Sequence, residues 1–378
     1  MSQRLQSLDN LRTFAGILRC FIHSAIPYMF SRSGVSLIHE NNGIKIFDYL
    51  VFVSHSFIEE LFYFIAGYVA FIQLSKIGER AFAKNKVWRI IFPFLISMLI
   101  LIPIVIVCFQ YVQLKKPGLM TINLFSLFIN SYILLPKNYF PLLHLWFLYY
   151  LILFNYFILL VLWVVAKFNL NQLIEKIKKI IYVKPSYFLL LLIIPFICLL
   201  VMKKWFVMSP FNMIPDLPFF IYFFIYFLMG IIAAQNSWLI LKCTLHMKKL
   251  FLGGIIFSLI AAYLQQFYLM NNYPYYILIL YLAKTTTYIT TLCLWSGMIG
   301  FSFSQWNRKI PVLHEFKSAN YFSYLVHLPI VVIAQLLMYY YLPVPVIVKF
   351  LLAFTICLII PYVLYKYIIP QRILKWIN

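Results

Sequence analysis

The sequence predicts an all-α, polytopic membrane protein of about ten transmembrane helices, on three observations. Of 378 residues, 64% are apolar and only 11% are charged, more apolar surface than a soluble chain of this size can bury. Apolar runs of about 20 residues, each long enough to cross the hydrocarbon core as a helix, recur from end to end. No hydrophilic stretch is large enough to fold separately, so residues 1–378 read as one membrane domain.

The predicted spans are 10–30, 48–74, 88–112, 142–166, 186–202, 217–235, 250–270, 275–300, 319–341 and 345–368. The run at 121–135 is apolar but short and flanked by polar residues, which suits a re-entrant or interfacial helix. With the N-terminus inside, 21 Lys and Arg between Arg4 and Lys375 fall on the cytoplasmic side. Only seven (Arg32, Lys45, Lys115, Lys116, Lys137, Lys203 and Lys204) fall on the other. That excess predicts two cytoplasmic termini and accounts for the net charge of +22 without a nucleic-acid partner. The six cysteines form no close pair and lie mostly inside spans, so they read as small buried hydrophobes, implying neither disulfide nor metal. The first apolar run holds Arg12, Arg19 and His23 and no small-residue cleavage site follows it, unlike a secretory signal. A multi-pass protein of a bacterial inner membrane, in contact with its lipids, is the expected setting.

Ionisable side chains near mid-bilayer cost about 2.5–3.5 kcal/mol on insertion scales, so each asks for a reason. Arg12 and His23 are 11 residues apart and return to within about 20° of one helix face, with Arg19 on that face too. The stripe reaches about 16 Å into the membrane, and only a protein interior or a wet cavity tolerates it. His23, at its deep end, is either a functional group or a satisfied structural histidine. His55 and Glu59, four apart, can pair on one helix face, with Glu60 beside them. Lys284, followed by three threonines, either lines the same cavity or is locally paired. His144 beside Trp146 suits an interfacial belt as well as a site, and Ser323, Tyr324 and His327 share a polar face. His39, His246 and His314 read as loop residues without chemistry. Lys86 and Arg89, three apart at the mouth of the third span, can face one phosphate-bearing ligand or simply set topology. Walker, dinucleotide and kinase motifs are absent.

Several stretches resemble the acyltransferase family 3 membrane proteins. "LDNLRTFAGILRCFIHS" (8–24) is similar to that family's opening, a basic residue and a histidine separated by ten residues, here Arg12 and His23. "FYFIAGYVAF" (62–71), "KVWRIIFPFL" (86–95), "HLWFLYYL" (144–151) and "YFSYLVHLPIV" (321–331) resemble further family segments in the right order, with Lys86 where arginine is commoner. "FIEELFYFIAGY" and "HLWFL" look most like the glucans biosynthesis protein C branch, which resembles succinyl transferases acting on periplasmic glucans.

The resemblance implies transfer of an acetyl or succinyl group from cytoplasmic acyl-coenzyme A to a sugar hydroxyl of a periplasmic or cell-surface glycan or glycolipid. Acyl-coenzyme A is then a donor substrate; no tightly bound cofactor or metal is expected. A sugar hydroxyl needs a base, and His23 is assigned that role or that of a transient acyl carrier. Arg12, Lys86 and Arg89 are expected to hold the polyanionic coenzyme A. Arg19 would polarise the thioester carbonyl, while Glu59 joins the catalytic set on the acceptor side with His144. The competing class is a transporter or flippase of a glycan or lipid-linked saccharide, since intramembrane Arg, His, Lys and Glu also mark proton-coupled pathways. Against it stand the lack of internal symmetry and of paired Gly-interrupted helices. A third reading is an inert scaffold that keeps the fold.

Overall fold

The computed structural model describes residues 2–31, 38–114, 126–131, 141–207, 209–210, 213–268 and 275–369, and among these it is helical, without strands. The elements are α1 (Ser2–Ala25), α2 (Lys45–His55), α3 (Ile58–Lys86), α4 (Phe92–Leu114), α5 (Trp146–Lys167), α6 (Asn171–Val183) and α7 (Ile193–Val201). Then come α8 (Leu217–Gln235), α9 (Trp238–Tyr268), α10 (Tyr276–Gln305), α11 (Pro311–Lys317), α12 (Asn320–Tyr341) and α13 (Val346–Val363). Of the predicted element 121–135, only a short helical stretch, 126–131, lies within the described residues. Arg32, Lys115, Lys116, Lys137, Arg372, Lys375 and residues 269–270 of the predicted seventh span lie outside them.

Among the described residues seven helical segments are long and apolar enough to cross a membrane: Lys45–Val112, Leu143–Lys167, Leu217–Gln235, Trp238–Phe267, Tyr276–Gln305, Asn320–Tyr341 and Val346–Ile368. The chain is a multi-pass membrane protein. The first segment runs 68 residues, about 100 Å at helical rise against a core of about 30 Å, and holds the predicted spans 48–74 and 88–112. It is interrupted at Ser56–Phe57, at Gly78 and by a π-turn over Val87–Ile91. Gly78 sits at φ 75°, a conformation that favours glycine. A further pair, Asn171–Ile180 and Pro185–Val201, is bent by 101° and contains the predicted span 186–202 up to its last residue.

The predicted first span, on α1, is not among the seven, because Asp9, Arg12 and Arg19 make it too polar. Its surroundings explain how it is tolerated. α1 packs on α2, α3 and α10–α13, and side-chain hydrogen bonds run between it and its surroundings in both directions. Ser302 donates to the Ser7 carbonyl at 2.7 Å, Asn10 donates to the Trp306 and Arg308 carbonyls at 2.9 Å each, and Asn320 donates to the Arg12 carbonyl at 3.1 Å. Gln335 donates to the His23 carbonyl at 2.9 Å. Ser7, Asn10, Thr13, Arg19 and Ser24 of α1 are buried in protein, whereas Leu95 and Leu99 on α4, Leu160 on α5 and Leu252 on α9 stay exposed on the outside of the bundle, as lipid contact requires.

α3 and α8 cross with their backbones in close approach. A Cβ added at Gly67 would collide with the Phe227 carbonyl, and one added at Gly230 with the Phe64 carbonyl, so two glycines reciprocally let the backbones touch. Gly67→Ala or Gly230→Ala should therefore destabilise the detergent-solubilised protein by about 1–3 kcal/mol. Gly253→Ala, whose new methyl would meet nothing closer than the Cys293 sulfur at 3.4 Å, should leave the thermal midpoint nearly unchanged.

Candidate active site

Three histidines from three elements converge at the deep end of α1. His23 faces His327 of α12 with ring centroids 5.1 Å apart, and His327 faces His144 at 5.2 Å with the rings nearly perpendicular, 87°. His144 stands on a single 3-10 turn, Leu143–Leu145, that leads into α5. His144 is 6% exposed and His327 1%. Their rings are aimed by backbone carbonyls: His144 Nε2 lies 2.8 Å from the Leu325 oxygen and His327 Nδ1 2.8 Å from the Tyr324 oxygen. The Tyr324 hydroxyl returns a bond to the His144 carbonyl at 2.7 Å, tying the turn to α12. His55, at the end of α2, is within Coulombic reach of His23.

Arg19, one turn before His23, is buried beside this cluster. Its guanidinium donates to both Glu59 oxygens, at 3.3 and 3.1 Å. It also lies 4.2 Å from the centroid of Phe62, 4.7 Å from Tyr324 and 5.2 Å from Phe147. Desolvated cation–π contacts of this kind are worth up to about 2 kcal/mol. Glu59 belongs to the first turn of α3, where the helix dipole favours a carboxylate. The helix breaks at Ser56–Phe57, and Glu59 makes its ion pair with Arg19 while His55 stays within Coulombic reach of the same carboxylate.

The other predicted residues lie elsewhere. Arg12 is paired with Asp9 at 3.6 Å, and Asp9 also holds Lys317. Lys86 turns back to donate to Gln73 at 3.0 Å over the ring of Phe82, within Coulombic reach of Arg89, which is exposed on the π-turn. Lys86 and Arg89 are thus brought together, whereas neither has a described contact with Arg12. A separate open hollow of about 710 Å³ at the Gly78 break is lined by, among others, Phe71, Ser75, Gly78, Glu79, Arg80 and Leu162, and not by Lys86 or Arg89. Lys284 does not join the histidines: it donates to the Leu200 and Met202 carbonyls at 2.8 and 2.6 Å, capping α7. His246 and His314 lie on α9 and α11 rather than in loops. Five cysteines are buried and all six are free thiols. Among the described residues no group of three His, Cys, Asp or Glu side chains is arranged to hold a metal.

Sequence reasoning missed the aromatic box around Arg19. Its signal was the aromatic density of residues 62–68 and 146–150, read there as family pattern rather than as a cation's surroundings. If the box and Glu59 hold Arg19 as described, Arg19→Met or Glu59→Leu alone should each destabilise the protein by about 3–5 kcal/mol, since a buried charge is left unpaired. The double variant should recover much of that loss in a thermal melt.

Neither a curated protein nor a solved structure matches the chain. The model of acyltransferase family 3, described as an acyltransferase domain, matches residues 5–366 and so takes in every residue of the cluster. This multi-pass membrane protein belongs to the acyltransferase 3 family.

Proposed function

We propose that the protein moves an acetyl or succinyl group from cytoplasmic acyl-coenzyme A to a hydroxyl of a periplasmic or cell-surface glycan. The observation that carries this reading is the convergence of His23, His144 and His327 beside the Arg19–Glu59 pair. In the reaction His23 takes the hydroxyl proton, and the oxygen attacks the thioester carbonyl. The C–O bond forms, the C–S bond breaks, and the departing thiolate takes the proton back from His23. The same histidine could instead carry the acyl group transiently. The Arg19 guanidinium, in a dry aromatic setting one turn away, favours the oxyanion that develops. Glu59 fixes that guanidinium, and His144 lies toward the acceptor.

On the donor side, Lys86 and Arg89, brought together at the π-turn, suit the phosphates of coenzyme A, with Arg12 as a third basic group on α1. The wider frame is an inner-membrane enzyme with about ten crossings, α1 included, and both termini cytoplasmic. Its acceptor would resemble that of the glucans biosynthesis protein C branch.

Inverted vesicles given radiolabelled acetyl- and succinyl-coenzyme A should pass label to saccharide. Label that stays wholly in coenzyme A would contradict the reading. Lys86→Ala with Arg89→Ala should weaken acyl-coenzyme A binding, with residual affinity falling further as salt rises; undiminished binding would remove the donor mouth. A reporter active only outside the cytoplasm should be silent after Asn378 and active near Lys137, and the reverse pattern would overturn the orientation.

A further inference from the structure

Two of the three histidines have their tautomers set by the backbone, and the setting has a chemical consequence. Pro329 lies inside α12 and has no N–H, so the Leu325 carbonyl four residues earlier lacks its helical donor. His144 Nε2 fills that place at 2.8 Å. A carbonyl only accepts, so in the neutral ring the proton sits on Nε2 and the lone pair on Nδ1. By the same reasoning, His327 Nδ1 donates to the Tyr324 carbonyl and its lone pair sits on Nε2. Both lone-pair nitrogens, His144 Nδ1 and His327 Nε2, are buried and have no hydrogen-bond partner among the described residues. Two acceptors cannot satisfy one another, and a buried acceptor left alone costs about 1–3 kcal/mol.

From this we infer that His144 Nδ1 and His327 Nε2 form a two-point subsite for O–H donors, binding non-reacting hydroxyls of the acceptor so that a neighbouring hydroxyl meets His23. The inference rests on the proposed acyl transfer and goes beyond it by assigning acceptor recognition. The thioester end of the donor offers no O–H or N–H at its reacting atoms, whereas a saccharide offers several hydroxyls around each ring carbon that reacts. Chemistry of this kind discriminates strongly, because a ligand lacking the donors leaves both nitrogens unpaired. Pro329 is then a positioning residue, acting through the carbonyl it frees.

The test uses full-length protein with ¹⁵N-labelled histidine in lipid nanodiscs, with signals assigned from His144→Phe and His327→Phe. At neutral pH each of the two rings should show one protonated and one unprotonated nitrogen, unprotonated at Nδ1 of His144 and at Nε2 of His327. Glycerol, the probe polyol, should shift both unprotonated signals, while its trimethyl ether and acetyl-coenzyme A should not. In Pro329→Ala the returned N–H competes for Leu325, so His144 should lose its single tautomer while His327 keeps its own. Either His→Phe variant should raise the acceptor KM about tenfold or more with acyl-coenzyme A affinity unchanged. The opposite tautomer, glycerol that shifts neither signal, or equal shifts with acetyl-coenzyme A would overturn the subsite. The spectra require no turnover, so they stand even where labelled acyl-coenzyme A gives no product and the acyl-transfer reading itself fails.

Discussion

The buried ion pair between Arg19 and Glu59 is the constraint on which the rest of the arrangement depends. A lone guanidinium at this depth would be intolerable, and pairing alone rarely repays the loss of water. Here the pair is joined by three aromatic faces, from Phe62, Phe147 and Tyr324. Those faces and Glu59 come from α3, α5 and α12, so satisfying one charge on α1 draws in three other helices. The same elements supply the chemistry: His23 sits one turn beyond Arg19, His144 immediately precedes α5, and His327 follows Tyr324 by three residues. The site is therefore assembled around the most deeply placed of the charges that make α1 too polar to face lipid.

Prolines inside helices are the second device. Pro329 releases the Leu325 carbonyl to His144, and Pro361 of α13 lies four residues beyond Cys357, whose carbonyl accepts from the Cys20 thiol of α1 at 3.9 Å. In both places a missing N–H turns an intrahelical acceptor into a link between elements far apart in the chain. A proline in a membrane helix thus fixes the partner's orientation as well as the local bend.

Much of this was legible in the sequence. Apolar runs identify the helices because a membrane demands them, and the Arg12–Arg19–His23 stripe is readable because helical periodicity is local. The partners were not readable. Glu59 can be matched with His55 from their spacing of four, but its ion-pair partner, Arg19, comes from another helix, 40 residues away. Lys284 looked available to the cavity, but its acceptors are carbonyls at the end of α7, more than 80 residues earlier. His144 and His327 were each visible as polar residues near aromatics. Their meeting depends on seating the Leu143–Leu145 turn against α12, about 180 residues further along the chain, which no local pattern encodes.

The most direct measurement is acyl transfer by His23→Ala, His23→Asn and His23→Gln proteins expressed at normal levels. Asn and Gln can keep a hydrogen bond but cannot take a proton near neutral pH. All three should lose about 10²–10⁴-fold in rate, with insertion intact because each replaces a neutral ring by an uncharged side chain. A well-folded His23→Gln protein with near-wild-type transfer would contradict the account and leave His23 as a packing residue.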